Sequence, residues 1–184
     1  MRKALLAALA LLLPAEAIAA CANPMKREVM MMPGFMRTPV PEAVPDIAFT
    51  REDGREARLA DLAGAPSIVS FWFPGCPGCA QETPALNAMR GRYADRPGLN
   101  LLSVSVQGSE RAVRTYLDRR GAANIEAHRD EGAALFTDLC LAATPVHVIL
   151  DAEARMVGAL VGPQDWGSDT HTEFLDELIE KGWE

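Results

Sequence analysis

Residues 71–79 read FWFPGCPGC. An aromatic run breaks at Pro74-Gly75 and delivers two thiols, Cys76 and Cys79, three positions apart. The run starts at Ser67. SIVSFWF is short, β-branched and apolar at nearly every position, as suits a central strand buried on both faces of a sheet. Residues 80–93 have helical periodicity through Leu86 and Met89, and Pro77 is at home in a first helical turn. The cysteine pair therefore stands where a buried strand hands over to a helix.

Three uses compete for that spacing. A zinc site needs four N or S ligands and a CxxC knuckle supplies two. The sequence has no second CxxC, and His128, His147 and His171 are isolated from one another. A structural staple closes so small a loop that it removes little entropy from the unfolded chain. A redox couple gains from the position. The first thiol sits at the positive end of the helix dipole, where its thiolate is favoured. A CxxC in a strand–helix setting points to thioredoxin-type chemistry. Glu82 follows Cys79 by three residues, and Pro84 predicts a kink soon after. Thr144-Pro145 precedes another core strand, where a cis proline would face the thiols; the sequence does not fix the isomer.

Outward from this centre the chain alternates strands and helices. Strands are expected at 47–49, 99–106, 146–150 and 156–161, with turns at Asp53-Gly54 and 151–153. One helical turn is expected at 59–64, and helices at 111–120, 131–139 and 172–179. The pattern predicts a single α/β domain with a mostly parallel sheet covered on both faces, finished at one edge by an antiparallel hairpin.

The N-terminus reads differently. Arg2 and Lys3 precede an apolar run over 4–13, and small residues follow to Cys21, the layout of an export signal. Pro14 and Glu16 cut the run short of the roughly 20 apolar residues that span a bilayer. Residues 1–20 are expected to be a signal peptide. Residues 21–45, with five prolines, are expected to be a tether, and residues 46–184 the compact domain. An exported protein keeps its disulfides. The chain has 184 residues and a formal charge of -7, a surface that repels phosphate backbones and argues against nucleic acid.

The tether stretch holds Met25, Met30, Met31, Met32 and Met36, five of the eight methionines. Thioether sulfur selects Cu(I), so a copper-handling role is one reading. Methionines filling an apolar groove of the domain is the plainer one.

FWFPGCPGCAQETPAL resembles the active-site segment of TlpA/ResA/DsbE-type thioredoxin-like proteins, an aromatic strand followed by W-C-x-x-C-x-x-E-x-P. TPVHVILDAEARMVGALVGPQDW is similar to the same family's threonine–cis-proline strand, acidic turn and glycine–tryptophan segment. IAAC at 18–21 resembles a bacterial lipobox, with Cys21 as the lipidated residue, while Ala17-Ile18-Ala19 equally suits an ordinary small-x-small cleavage site. The resemblance implies a thioredoxin fold with a central mixed sheet flanked by helices. It implies an exported, membrane-tethered thiol:disulfide oxidoreductase that needs no organic cofactor or metal. It makes Cys76 the attacking thiol, Cys79 the resolving one and Cys76–Cys79 the redox disulfide. Glu82 matches the acidic residue that helps set thiol acidity. Pro145 matches the cis-proline that shapes the substrate groove, bordered by Thr144, Pro77 and Gly78.

The chain departs from that family in two places. Gly75 stands where tryptophan is usual, and Leu139-Cys140-Leu141 where Tyr-Gly-Val is common. Cys140 is expected to be a small buried hydrophobe, His147 strand packing and Trp166 a core plug. The expected activity is a monomeric, periplasmic reductant. Its partners are cysteine-containing exported proteins, of the cytochrome c maturation or copper-site assembly type, and a membrane redox partner. A peroxiredoxin-like peroxidase is the other rival, but it wants threonine three residues before its reactive cysteine, and Phe73 is there.

Overall fold

The computed structural model describes residues 34–183. The N-terminal segment, with the expected signal peptide, Cys21 and Met25 to Met32, lies outside the described residues.

Eight strands form one sheet: β1 Phe35–Ala43, β2 Phe49–Thr50, β3 Glu56–Ala57, β4 Ser67–Trp72, β5 Asn100–Ser105, β6 His128–Arg129, β7 Val146–Leu150 and β8 Arg155–Val161. Their spatial order is β1-β8-β7-β4-β5-β6-β2-β3. Four helices flank it: α1 Pro77–Tyr93, α2 Glu110–Arg119, α3 Ala134–Asp138 and α4 Asp169–Lys181. Short 3-10 turns occupy Leu59–Leu62 and Glu131–Ala133.

The expectation of a mostly parallel sheet fails. Only β4–β5 and β5–β6 run parallel, while β1–β8, β7–β8, β4–β7, β2–β3 and β2–β6 are antiparallel. The sheet is mixed because helical crossovers through α1 and α2 join β4 to β5 and β5 to β6, whereas β7 enters beside β4 from the opposite end. The β7–β8 hairpin forms as expected, yet it does not finish the edge.

That edge is β1, within the stretch expected to be a tether. Phe35 and Thr38 are buried, and the Thr38 hydroxyl donates to the Met156 carbonyl. Met36 pairs with Ala159 rather than standing in a free segment. Pro39 and Pro41 fall inside the register shift between Arg37 and Glu42. An edge strand tolerates proline at a bulge, so proline spacing did not exclude a strand here.

The expected helix over 131–139 is broken. Gly132 and Ala133 both take left-handed backbone, φ 76° and 56°, and only Ala134–Asp138 is α-helical.

Alternation along the strands sorts the core. Ile68, Trp72 and Ile149 face Leu86, Met89 and Tyr93 of α1 and Leu175 and Leu178 of α4. Val69, Phe71, Val104, Val148 and Leu150 face the other way, toward Leu59 and Leu135. Every residue of β4 is buried, as an all-apolar central strand requires.

Candidate active site

β4 ends at Trp72, and four residues later the chain caps α1 with Cys76. The backbone N–H of Cys79 donates to the Sγ of Cys76 at 3.1 Å. Cys76 and Cys79 form a disulfide, with their Cα atoms 5.3 Å apart. Both are buried, while the flanking Gly75 and Pro77 are exposed. The first sulfur thus has an N–H donor and the positive end of a 17-residue helix against it. Both favour a thiolate once the bond is reduced.

The opposing wall comes from the loop before β7. The Thr144–Pro145 bond is cis. The Thr144 carbonyl lies 3.6 Å from the Sγ of Cys76, and the Thr144 hydroxyl donates to the same sulfur at 3.5 Å. Gly78 packs against this loop: a Cβ there would meet Pro145 Cδ at 3.1 Å and Pro163 Cγ at 3.4 Å. Cys76, Cys79, Pro77, Gly78, Thr144 and Pro145 thus gather at one point.

Pro84 lies within α1 and lacks the N–H that would bond the Ala80 carbonyl. Arg120 at the end of α2 supplies the missing donor, 3.0 Å from that oxygen, with its guanidinium 4.9 Å from the ring centre of Tyr116. A cavity of about 910 Å³ opens on this flank beside Pro74, bordered by Tyr116, Arg111 and Arg119.

Glu82 is buried, not a solvated helix residue. Its Oε2 accepts from the Gln164 backbone N–H at 2.9 Å and lies 3.2 Å from Nε2 of His147. His147 is fully buried, and its Nδ1 is 2.8 Å from the Ser70 hydroxyl. Trp166 meets the His147 ring edge-on at 4.8 Å and the His171 ring at 5.2 Å. His171 completes the chain: Nε2 lies 3.1 Å from Gln164 Oε1 and Nδ1 2.8 Å from the Ser168 hydroxyl. Burial pushes His171 below the ordinary histidine range. His147 adds to this, while Asp165 and Glu82 pull the other way.

His147 and Ser70 were missed as site residues. The signal was present: each is a polar residue inside an otherwise apolar core strand, and a buried polar group needs a partner. Trp166 is a core plug as expected, 1% exposed. Cys140 is half-buried rather than buried and takes φ 56°. Glycine would adopt that backbone freely.

A family model described as the AhpC/TSA family matches residues 40–159. The chain is 30% identical over 78 residues to the thioredoxin-like protein YneN of Bacillus subtilis, 42% of this chain and 46% of that one. It is 30% identical over 77 residues to the thiol-disulfide oxidoreductase ResA of Halalkalibacterium halodurans, 41% of this chain and 43% of that one. The match thus spans less than half the length of either relative. Its fold is that of a secreted Mycobacterium tuberculosis disulfide oxidoreductase homologous to E. coli DsbE. The two superpose with a TM-score of 0.58 at 17% identity, covering 71% of this chain and 95% of that one. The fold is thioredoxin-like.

Proposed function

Because the chain belongs to the AhpC/TSA family and carries a CxxC disulfide at a helix start, we propose that it is a thiol:disulfide oxidoreductase. Cys76 attacks and Cys79 resolves. The observation that carries this is the Cys76–Cys79 disulfide, capped by its own helix and faced by Thr144-Pro145. Exchange runs through a mixed disulfide, so an accessible thiolate must attack and a second thiol must release it. The exposed Gly75 and Pro77 leave Cys76 an approach. Thr144 and Pro145 line the groove that holds the substrate's backbone next to Cys76. Glu82, one turn beyond Cys79, takes up the proton of the resolving thiol.

The reading extends to compartment and direction. The N-terminal export pattern supports an extracytoplasmic site, with Cys21 as a lipid anchor to the membrane. The partners are cysteine-bearing exported proteins, and a membrane redox partner recharges the pair. The protein acts as their reductant. Exposing the reduced full chain to a disulfide-bonded exported protein, with Cys76→Ser and Cys79→Ser as controls, tests this. Cys79→Ser accumulates a mixed disulfide through Cys76, and Cys76→Ser forms none. Equal trapping by both variants overturns the assignment.

A further inference from the structure

Ser70 and His147 are register partners of β4 and β7. Alternation turns both toward the α1 side of the sheet, and there the His147 ring reaches Glu82. A carboxylate that is to take up a proton only accepts hydrogen bonds. Nε2 of His147 therefore carries the hydrogen that goes to Glu82, and Nδ1 accepts from the Ser70 hydroxyl. Gln164 N–H donates to the same Oε2 of Glu82. The other oxygen, Oε1, accepts no hydrogen bond among the described residues. Cys79 and Glu82 stand three apart on α1, neighbours on one helix face, and both are buried. The groups around the ring are Ser70 on β4, Glu82 on α1, and Trp166, with His171 of α4 and Gln164 beyond it. Asp165 is the nearby acid, acting on His171.

We propose that His147 is a positioning residue of the exchange, which pins Glu82 through Oε2 and leaves Oε1 open to take the proton of Cys79. This rests on the oxidoreductase reading. The Cys76 thiolate breaks the substrate's S–S bond, forms a mixed disulfide with one half and releases the other as a thiolate. Cys79 then attacks the Sγ of Cys76. Its S–H bond breaks, the proton passes to Oε1 of Glu82, the Cys76–Cys79 bond forms, and the second substrate thiolate leaves. The substrate disulfide gains two electrons and the cysteine pair loses two. The proton on Glu82 passes on to a released thiolate or to water. Without His147, Glu82 keeps only the Gln164 N–H and swings free of its register with Cys79.

The test separates attack from resolution in the full chain. Attack by Cys76 is read as alkylation of the reduced protein by iodoacetamide, followed by mass on the Cys76 peptide. Resolution is read by rapid mixing with a peptide disulfide, through tryptophan fluorescence, since Trp72 and Trp166 share a core cluster with both cysteines. His147→Leu is expected to slow resolution at least about tenfold, within the range that acid–base groups contribute. Alkylation should change less than about threefold, and His147→Gln, which keeps a donor for Glu82, should recover most of the rate. Ser70→Ala, which removes only the far anchor of the ring, serves if His147→Leu does not fold. Its expected slowing is about threefold in the same step. Unchanged resolution in a folded variant, or equal loss in both steps, overturns the role of His147 while leaving the oxidoreductase reading intact. A wild-type chain that exchanges with no disulfide overturns both.

Discussion

Gly78 backs onto Pro145 so closely that a Cβ on it would stand 3.1 Å from the Cδ of that ring. The second residue between the cysteines is therefore set by the cis-proline loop as well as by the helix. Gly78→Ala gains about 0.5–1 kcal/mol of helix preference, which offsets most of the crowding. Gly78→Val adds branches that cannot yield and should cost about 1–3 kcal/mol. Denaturant midpoints of both variants check this; a Val variant as stable as wild type contradicts it.

Glu82 separates charge from hydrogen bonding. Glu82→Gln keeps an acceptor for the Gln164 N–H, so stability should change by less than about 1 kcal/mol while resolution by Cys79 slows at least about tenfold. Glu82→Leu strands two buried donors, Gln164 N–H and His147 Nε2–H, at about 1–3 kcal/mol each. Unfolding curves and exchange rates together read the difference. Equal stability of the two variants would mean that the two donors find other acceptors.

Arg120 and Pro84 form a linked pair through the Ala80 carbonyl. Arg120→Ala should cost about 1–2 kcal/mol, from the lost hydrogen bond to the Ala80 carbonyl and the lost contact with Tyr116. In a Pro84→Ala background the new N–H serves that carbonyl, so the same substitution should cost about 0.5–1 kcal/mol less. A double-mutant cycle on unfolding free energies measures it, and strict additivity contradicts it.

His171 makes stability depend on pH. Its folded pKa lies below the ordinary value, chiefly through burial. Above the unfolded value of about 6.5 the ring is neutral in both states. As pH falls through that value the unfolded chain takes the proton first, so stability declines toward acid and rises with pH in this window. Unfolding free energies between pH 7.5 and 5, at intervals of roughly half a unit, should slope less steeply in His171→Gln than in wild type. Identical slopes contradict the assignment.

Much of this was legible in the sequence because it lay in short-range chemistry. SIVSFWF can only be a buried strand, and Pro77 after Cys76 marks a helix start. Thr144-Pro145 before VHVIL places the facing loop. What escaped depends on contacts far apart in sequence. Strand β1 hid behind Pro39 and Pro41, because whether prolines lie on an edge is a matter of neighbours. The direction of β7 against β4 is set by packing, so strand–helix alternation alone points to a mostly parallel sheet, while the family resemblance implies the mixed sheet that is found. The helix over 131–139 fails at Gly132-Ala133, where two left-handed residues interrupt a sound apolar pattern. Ser70 and His147, 77 positions apart, become a pair only once register brings them together. Read singly, each was a polar residue in a core strand.

The most direct test is the redox equilibrium of Cys76 and Cys79 in the full chain, held in poised glutathione and dithiothreitol buffers, quenched with a thiol trap and read by peptide mass. The account predicts one two-electron couple at these two cysteines, poised below about -200 mV as befits a reductant. A pair that never cycles in any buffer, or one poised near about -120 mV as an oxidant, contradicts it.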